Sequence, residues 1–128
     1  MKIGLASVMV DDQAKAHKFY TEVLGFIVKQ DMPMGEHRWL TVVSPEGAEG
    51  VELLLEPMGF EPARAFQKAV REAGMPATAF FTHDLDAECA RLRARGVVFT
   101  MEPARAEWGA SAVFEDTCGN LINLVEVN

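Results

Sequence analysis

The chain opens with two rhythms of apolar residues in quick succession. Val8, Met9 and Val10 form a short run that stops at Asp11 and Asp12. Ala16, Phe19, Tyr20, Val23 and Leu24 then recur at intervals of three and four, the apolar stripe of one helix face. Asp12 is suited to accept the orphan N–H groups of the first turn, and Gly25 to take the left-handed conformation that ends the helix. The pattern predicts a strand over residues 2–10, a capped helix, a sharp stop, and a second strand over 26–32.

Further along, Pro33 and Gly35 suit a turn. Residues 37–44, rich in β-formers, predict a third strand, and Pro45-Glu46-Gly47 a hairpin turn into a fourth over 50–56. Ala63, Phe66, Ala69, Val70 and Ala73 fall at helical spacing, with Pro62 near the start and Gly74 as the stop. After that connecting helix come a strand over 76–82 and a helix introduced by His83-Asp84. The second of these carries Leu85, Cys89 and Leu92 on one face and closes at Gly96. A strand over 97–101 precedes a loop at Glu102-Pro103-Ala104. Two more strands, 108–115 and 121–127, flank the turn-forming run Asp116-Thr117-Cys118-Gly119-Asn120.

The second half thus repeats the first. Asp11 to Gly25 answers Asp84 to Gly96, Arg38-Trp39 answers Glu107-Trp108, and Val51-Glu52-Leu53 answers Ile122-Asn123-Leu124. A unit near 70 residues is too long for a solenoid and fits two copies of a βαβββ module. The expected fold is α+β, one domain over 1–128. Its modules, 1–58 and 75–128, are joined by a connecting helix at about 60–73. Curved mixed sheets surround a cavity, and the helices lie on the outer faces.

Composition narrows the function more than the fold. With 128 residues, 49% hydrophobic and 24% charged, the chain is an ordinary globular domain able to build its own core. A formal net charge of −7 argues against non-specific binding to nucleic acid or anionic membranes. No apolar run nears the roughly 20 residues that cross a bilayer, and no signal peptide is read at the start. Cys89 and Cys118 form no C-x-x-C pair and read as reduced thiols, which places the protein in the cytoplasm.

The run Phe19-Tyr20-Thr21-Glu22-Val23-Leu24-Gly25-Phe26 and the later Asp116-Thr117-Cys118-Gly119-Asn120 are the residues that carry a family likeness. Val10-Asp11-Asp12, Trp39, Val51-Glu52-Leu53, Gly96-Val97 and Trp108-Gly109 add to it. Together they resemble the vicinal oxygen chelate superfamily: glyoxalase I, extradiol dioxygenases, and fosfomycin and bleomycin resistance proteins. The resemblance covers essentially the whole chain. Metal-dependent members place one His, Glu or Gln ligand on each of four inward-facing strands. Carried over to this sequence, those places fall at Leu5, Glu52, Ala77 (within a residue or two) and Asn123. One strong ligand remains of four, so no family-type metal site and no cofactor is expected. His17, His37 and His83 read as structural or solvated rather than as ligands.

Strand alternation assigns the rest of the cavity. Leu5 implies Ser7 and Met9; Glu52 implies Leu54 and Glu56; Ala77 implies Ala79 and Phe81; Asn123 implies Leu121 and Val125. With Arg38 or Trp39 and with Trp108 at the mouth, the candidate ligand-binding set is Ser7, Arg38, Trp39, Glu52, Leu54, Phe81, Trp108 and Asn123. Glu52 is the only catalytic candidate. As a carboxylate in an apolar cavity with a raised pKa it could bind a cation or act as a base, or it could pair structurally with Arg38. Cys118, beside Asp116 and far from any histidine in sequence, reads as a non-catalytic thiol. The expected function is metal-free binding of a small organic ligand, cationic or aromatic, by a homodimer resembling the bleomycin resistance branch. The alternatives are a glyoxalase-like lyase, isomerase or dioxygenase using Glu52 and a divalent metal ion, and a non-catalytic interaction module.

Overall fold

The computed structural model describes residues Met1–Asn128, which divide into two compact units, Met1–Ala65 and Phe66–Asn128. In the first, strand β1 (Leu5–Val10) leads into helix α1 (Gln13–Lys18), which runs on as a π-helical turn over Phe19–Val23. Strands β2 (Ile27–Met34), β3 (His37–Val43) and β4 (Glu52–Pro57) complete a four-stranded sheet in the order β1-β4-β3-β2. Helix α2 (Glu61–Glu72) follows. The second unit repeats the plan with β5 (Thr78–Phe81), α3 (Leu85–Ala94), β6 (Phe99–Ala106), β7 (Gly109–Glu115) and β8 (Leu121–Val127), in the sheet order β5-β8-β7-β6. In each sheet the outer strand β1 or β5 runs parallel to its neighbour and the other pairs are antiparallel. This is the expected α+β pair of βαβββ modules.

The caps are those the sequence names. Asp12 accepts from Lys15 N and Asp84 from Ala87 N, each closing an open first-turn donor. Gly25 and Gly96 end their helices at φ of 85° and 86°. The π turn was not foreseen: Leu24 N donates to Phe19 O, five residues back. One residue more per turn brings Phe19 and Tyr20 both into the core, with Tyr20 fully buried.

Pro45 lies in its expected turn, whereas Pro33, expected in a turn, and Pro103, expected in a loop, lie within strands. Pro33 is in β2, opposite Arg38, and Pro103 is in β6. Each of these strands is an outer one, where proline is tolerated. Helix α2 also departs from expectation. None of its residues is buried and Phe66 is 60% exposed, while Ala63, Gln67, Val70 and Arg71 form its shielded side. Two polar anchors explain this orientation. Gln67 Nε2 donates to Cys118 O and to Asn120 Oδ1, at 3.0 and 3.1 Å, and Arg71 pairs with Glu115.

The hydrophobic core lies between each sheet and its helix. Val8, Val10, Leu40, Val42 and Leu55 pack with Ala16, Phe19 and Tyr20 in the first unit. Ile122, Leu124, Ala112 and Phe114 pack with Leu85, Cys89 and Leu92 in the second. Gln13 fastens α1 to its sheet by donating to Arg38 O and Leu55 O and accepting from Arg38 N. No helix is long and apolar enough to cross a membrane.

Candidate functional site

Because the helices cover one side of each sheet, alternation leaves a second face whose residues follow from the registers, with Leu5, Ser7 and Phe81 exposed on it and Thr41, Leu54 and Val125 buried. In the first unit Leu5 stands beside Glu52, Ser7 beside Leu54 and Met9 beside Glu56. Thr41 lies opposite Leu54 and Gln30 opposite Thr41. Trp39, two residues from Thr41 along β3, shares that face. Ser7, Trp39, Glu52 and Leu54 are therefore brought together as the sequence led us to expect.

Glu52 is the chemical centre of this face. Its Oε1 accepts from the Thr41 hydroxyl at 2.6 Å and from Gln30 Nε2 at 2.7 Å. Thr41 is fully buried, so the stronger of these anchors is held rigidly. The two hydrogen bonds, Thr41 first and Gln30 second, hold the carboxyl below its ordinary 4.5. Partial desolvation opposes them and Lys29 adds a smaller pull downward. This corrects the expected raised pKa, because two donors stabilise the charged form more than the apolar surroundings penalise it. Gln30 was missed as a partner. It reaches Glu52 because a register irregularity between Val28 and Gln30 shifts β2 against β3.

Arg38 departs from the expected set in a different way. It adjoins Trp39 in β3 and so points to the helix side, where its guanidinium binds Asp31 Oδ1 and Oδ2 at 2.9 and 2.7 Å. His17 Nδ1 lies 3.0 Å from the same guanidinium, so His17 acts as its acceptor. The hydrogen bond from Arg38 holds the Asp31 carboxyl below the usual range. Arg38 is thus neither on the open face nor the partner of Glu52.

In the second unit, Ala79 stands beside Asn123 and Phe81 beside Val125. Ala79, not Ala77, consequently occupies the place that Leu5 holds beside Glu52. Ala77 precedes the strand and bonds Leu121 O through its N–H. Phe81 is 67% exposed on this face while Phe80, next to Leu124, is half-buried toward the helix. Asn123 Oδ1 is buried without a hydrogen-bond partner. Trp108 is 53% exposed in the turn before β7. Thr41 opposite Leu54 matches Ser111 opposite Val125, so the counterpart of Trp39 is Gly109 and not Trp108. Gly109 has a φ of 148° and lies against the Glu126 backbone, which leaves no room for a side chain there.

The remaining candidate groups have structural partners. Cys118 is fully buried in the turn that Asp116 organises. Cys89 is buried, and desolvation pushes its thiol up, away from reactivity. His37 is half-buried near Gly59 and His83 is exposed. No three His, Cys, Asp or Glu side chains of the chain come together as a group that could hold a metal ion.

Comparison with known proteins agrees with this architecture. The family described as the Glyoxalase/Bleomycin resistance protein/Dioxygenase superfamily matches residues 2–124. The protein YurT of Bacillus subtilis (strain 168) is 50% identical over 126 residues, spanning 98% of this chain and 99% of its own. The crystal structure of UcmS2 is similar with a TM-score of 0.84 at 35% identity, over 98% of this chain and 97% of that one. That of TnmS3, described as an antibiotic binding protein from Streptomyces sp. CB03234, is similar with a TM-score of 0.78 at 36% identity. The match covers 100% of this chain and 97% of that one. The chain belongs to the glyoxalase, bleomycin resistance protein and dioxygenase superfamily.

Proposed function

We propose that this chain is a metal-free member of its superfamily that binds a small organic molecule against its open apolar faces. The observation that carries the reading is the setting of Glu52. Both of its hydrogen bonds converge on Oε1, and its strand neighbour Leu5 offers no donor atom. On the second unit Ala79 likewise offers none, and Asn123 contributes only an amide. A carboxylate and an amide do not fit the several-ligand divalent site of the metal-dependent relatives, and no step through such an ion is derived. The alternative reading as a lyase, isomerase or dioxygenase lacks the residues to support it.

Apolar side chains around a few fixed polar groups are the usual lining of a small-molecule site. Leu54, Trp39 and Met9 supply the first part, and Glu52, Thr41 and Ser7 the second. The description of TnmS3 as antibiotic-binding supports the same class of function. Leu5 and Phe81, 44% and 67% exposed, are large apolar residues on the open faces, and we read the protein as a homodimer that covers part of this surface.

The test is a thermal-shift screen with aromatic and amphiphilic small molecules, followed by calorimetry on the hits. At least one compound should raise the melting temperature and bind saturably. A broad library that produces no saturable binding would favour an interaction module instead.

A further inference from the structure

The first unit presents a half-buried, ionised carboxylate whose charge no cation of the chain meets. Every Lys or Arg ion pair of the unit lies elsewhere: Lys15 with Asp11 and Arg38 with Asp31. Lys29 acts on Glu52 only through its longer-range field. The carboxylate does have hydrogen-bond partners, but both Thr41 and Gln30 donate to Oε1. Oε2 is left as an acceptor with no donor. The two donors outweigh the desolvation of the carboxylate and keep it ionised, so Oε2, beside Leu5, stands ready to accept from a charged donor.

The same two donors fix the direction of that oxygen. Thr41 is fully buried in β3, and Gln30 comes from β2, so Glu52 is gripped by two strands besides its own. A carboxylate held in one rotamer loses little entropy when a ligand docks. Lys29 is the cation whose field reaches Glu52 without pairing with it, and Glu56, beside Met9, adds a second negative charge.

Resting on the small-molecule reading above, we propose that the open face of the first unit is selective for an organic cation. The ligand's protonated amine pairs with Glu52 Oε2. Its apolar or aromatic body lies on Met9, Trp39 and Leu54. Neutral analogues of equal shape would bind less well.

Matched pairs of probes test this. A set of arylalkylamines and their N-acetyl derivatives, of the same aromatic body with and without charge, is titrated by calorimetry into the wild-type protein and into Glu52→Gln. The glutamine keeps an acceptor oxygen for Thr41 and Gln30, so the fold is retained, as circular dichroism would verify. Wild type should prefer the amine by about tenfold or more, as expected for a charge-assisted hydrogen bond. In Glu52→Gln that preference should fall to about twofold or less, chiefly through loss of affinity for the amine. Equal binding of amine and amide by wild type, or a preference that survives Glu52→Gln, would overturn the cation assignment while leaving small-molecule binding intact. Absence of binding by every probe of both kinds would overturn both.

Discussion

Replacing Asp116 with alanine is expected to cost about 3–5 kcal/mol of folding stability, among the largest single losses in this chain. Asp116 is fully buried, and its carboxylate ties the turn together by hydrogen bonds within four residues. Its Oδ1 accepts from Cys118 N at 2.8 Å and from Asn120 N at 3.0 Å, and its Oδ2 from Asn120 Nδ2 at 2.7 Å. Alanine leaves two buried backbone donors and one side-chain donor without this acceptor, and each orphan carries a desolvation penalty of about 1–3 kcal/mol. The turn also takes Thr117 to a φ of 65°, so the side chain holds a backbone path that non-glycine residues avoid. Asp116→Asn keeps an acceptor for the two backbone groups and should cost roughly half as much. Urea unfolding of the three proteins at equal m value checks this, and an alanine variant within about 1 kcal/mol of wild type would contradict it. The turn joins β7 to β8, whose register sets Glu115 opposite Leu121 and Val113 opposite Asn123.

The second large effect belongs to the first unit. Tyr20→Ala should also cost about 3–5 kcal/mol, the range for deleting a large buried aromatic ring. Tyr20 is fully buried, with Phe19 edge-on at 5.7 Å and Phe26 at 6.4 Å between ring centroids. It sits at the π turn, where its carbonyl accepts from Phe26 N and so joins the helix end to the strand that follows. Tyr20→Phe keeps the ring and should retain most of the stability. Equal losses in the two variants would place the energy in the hydroxyl rather than in packing.

How far the sequence led can be read from these same elements. Asp12, Gly25, Asp84 and Gly96 were legible because capping and helix termination depend on a residue and its near neighbours. Leu5, Ser7 and Met9 with Glu52, Leu54 and Glu56 were legible because a strand's period of two is strict. What failed depended on register between strands. Arg38 and Trp39 are adjacent, so only one can share the face of Glu52, and the antiparallel pairing that chooses Trp39 is not a local property. Ala79, two residues from Ala77 and within the range expected for this place, stands beside Asn123, because parallel β5 and β8 have no connecting hairpin to set their alignment from the sequence. Gln30 was hidden by the irregularity in β2, which breaks the alternation that would have found it. Helix α2 shows another limit: its apolar spacing suggested a buried stripe through Phe66, whereas Gln67 and Arg71 fix the side that is shielded.

These corrections leave a carboxylate that is better organised than the sequence implied. Glu52 is charged, aimed and in no salt bridge, on a face where Leu5, Met9, Trp39 and Leu54 lie among a few polar groups. Both of its hydrogen bonds fall on Oε1, and its strand neighbour Leu5 carries no atom that could join it in holding an ion. That contrast is the physical basis for assigning the site to an organic molecule.

The most direct measurement of this central point is the metal content of the protein, made in medium supplemented with nickel, zinc, manganese and iron, alongside Glu52→Gln made in the same way. Elemental analysis after gel filtration should find far less than one ion per chain in both proteins, with no difference between them. A stoichiometric divalent ion in wild type that disappears in Glu52→Gln would show that Glu52 serves a chelate after all.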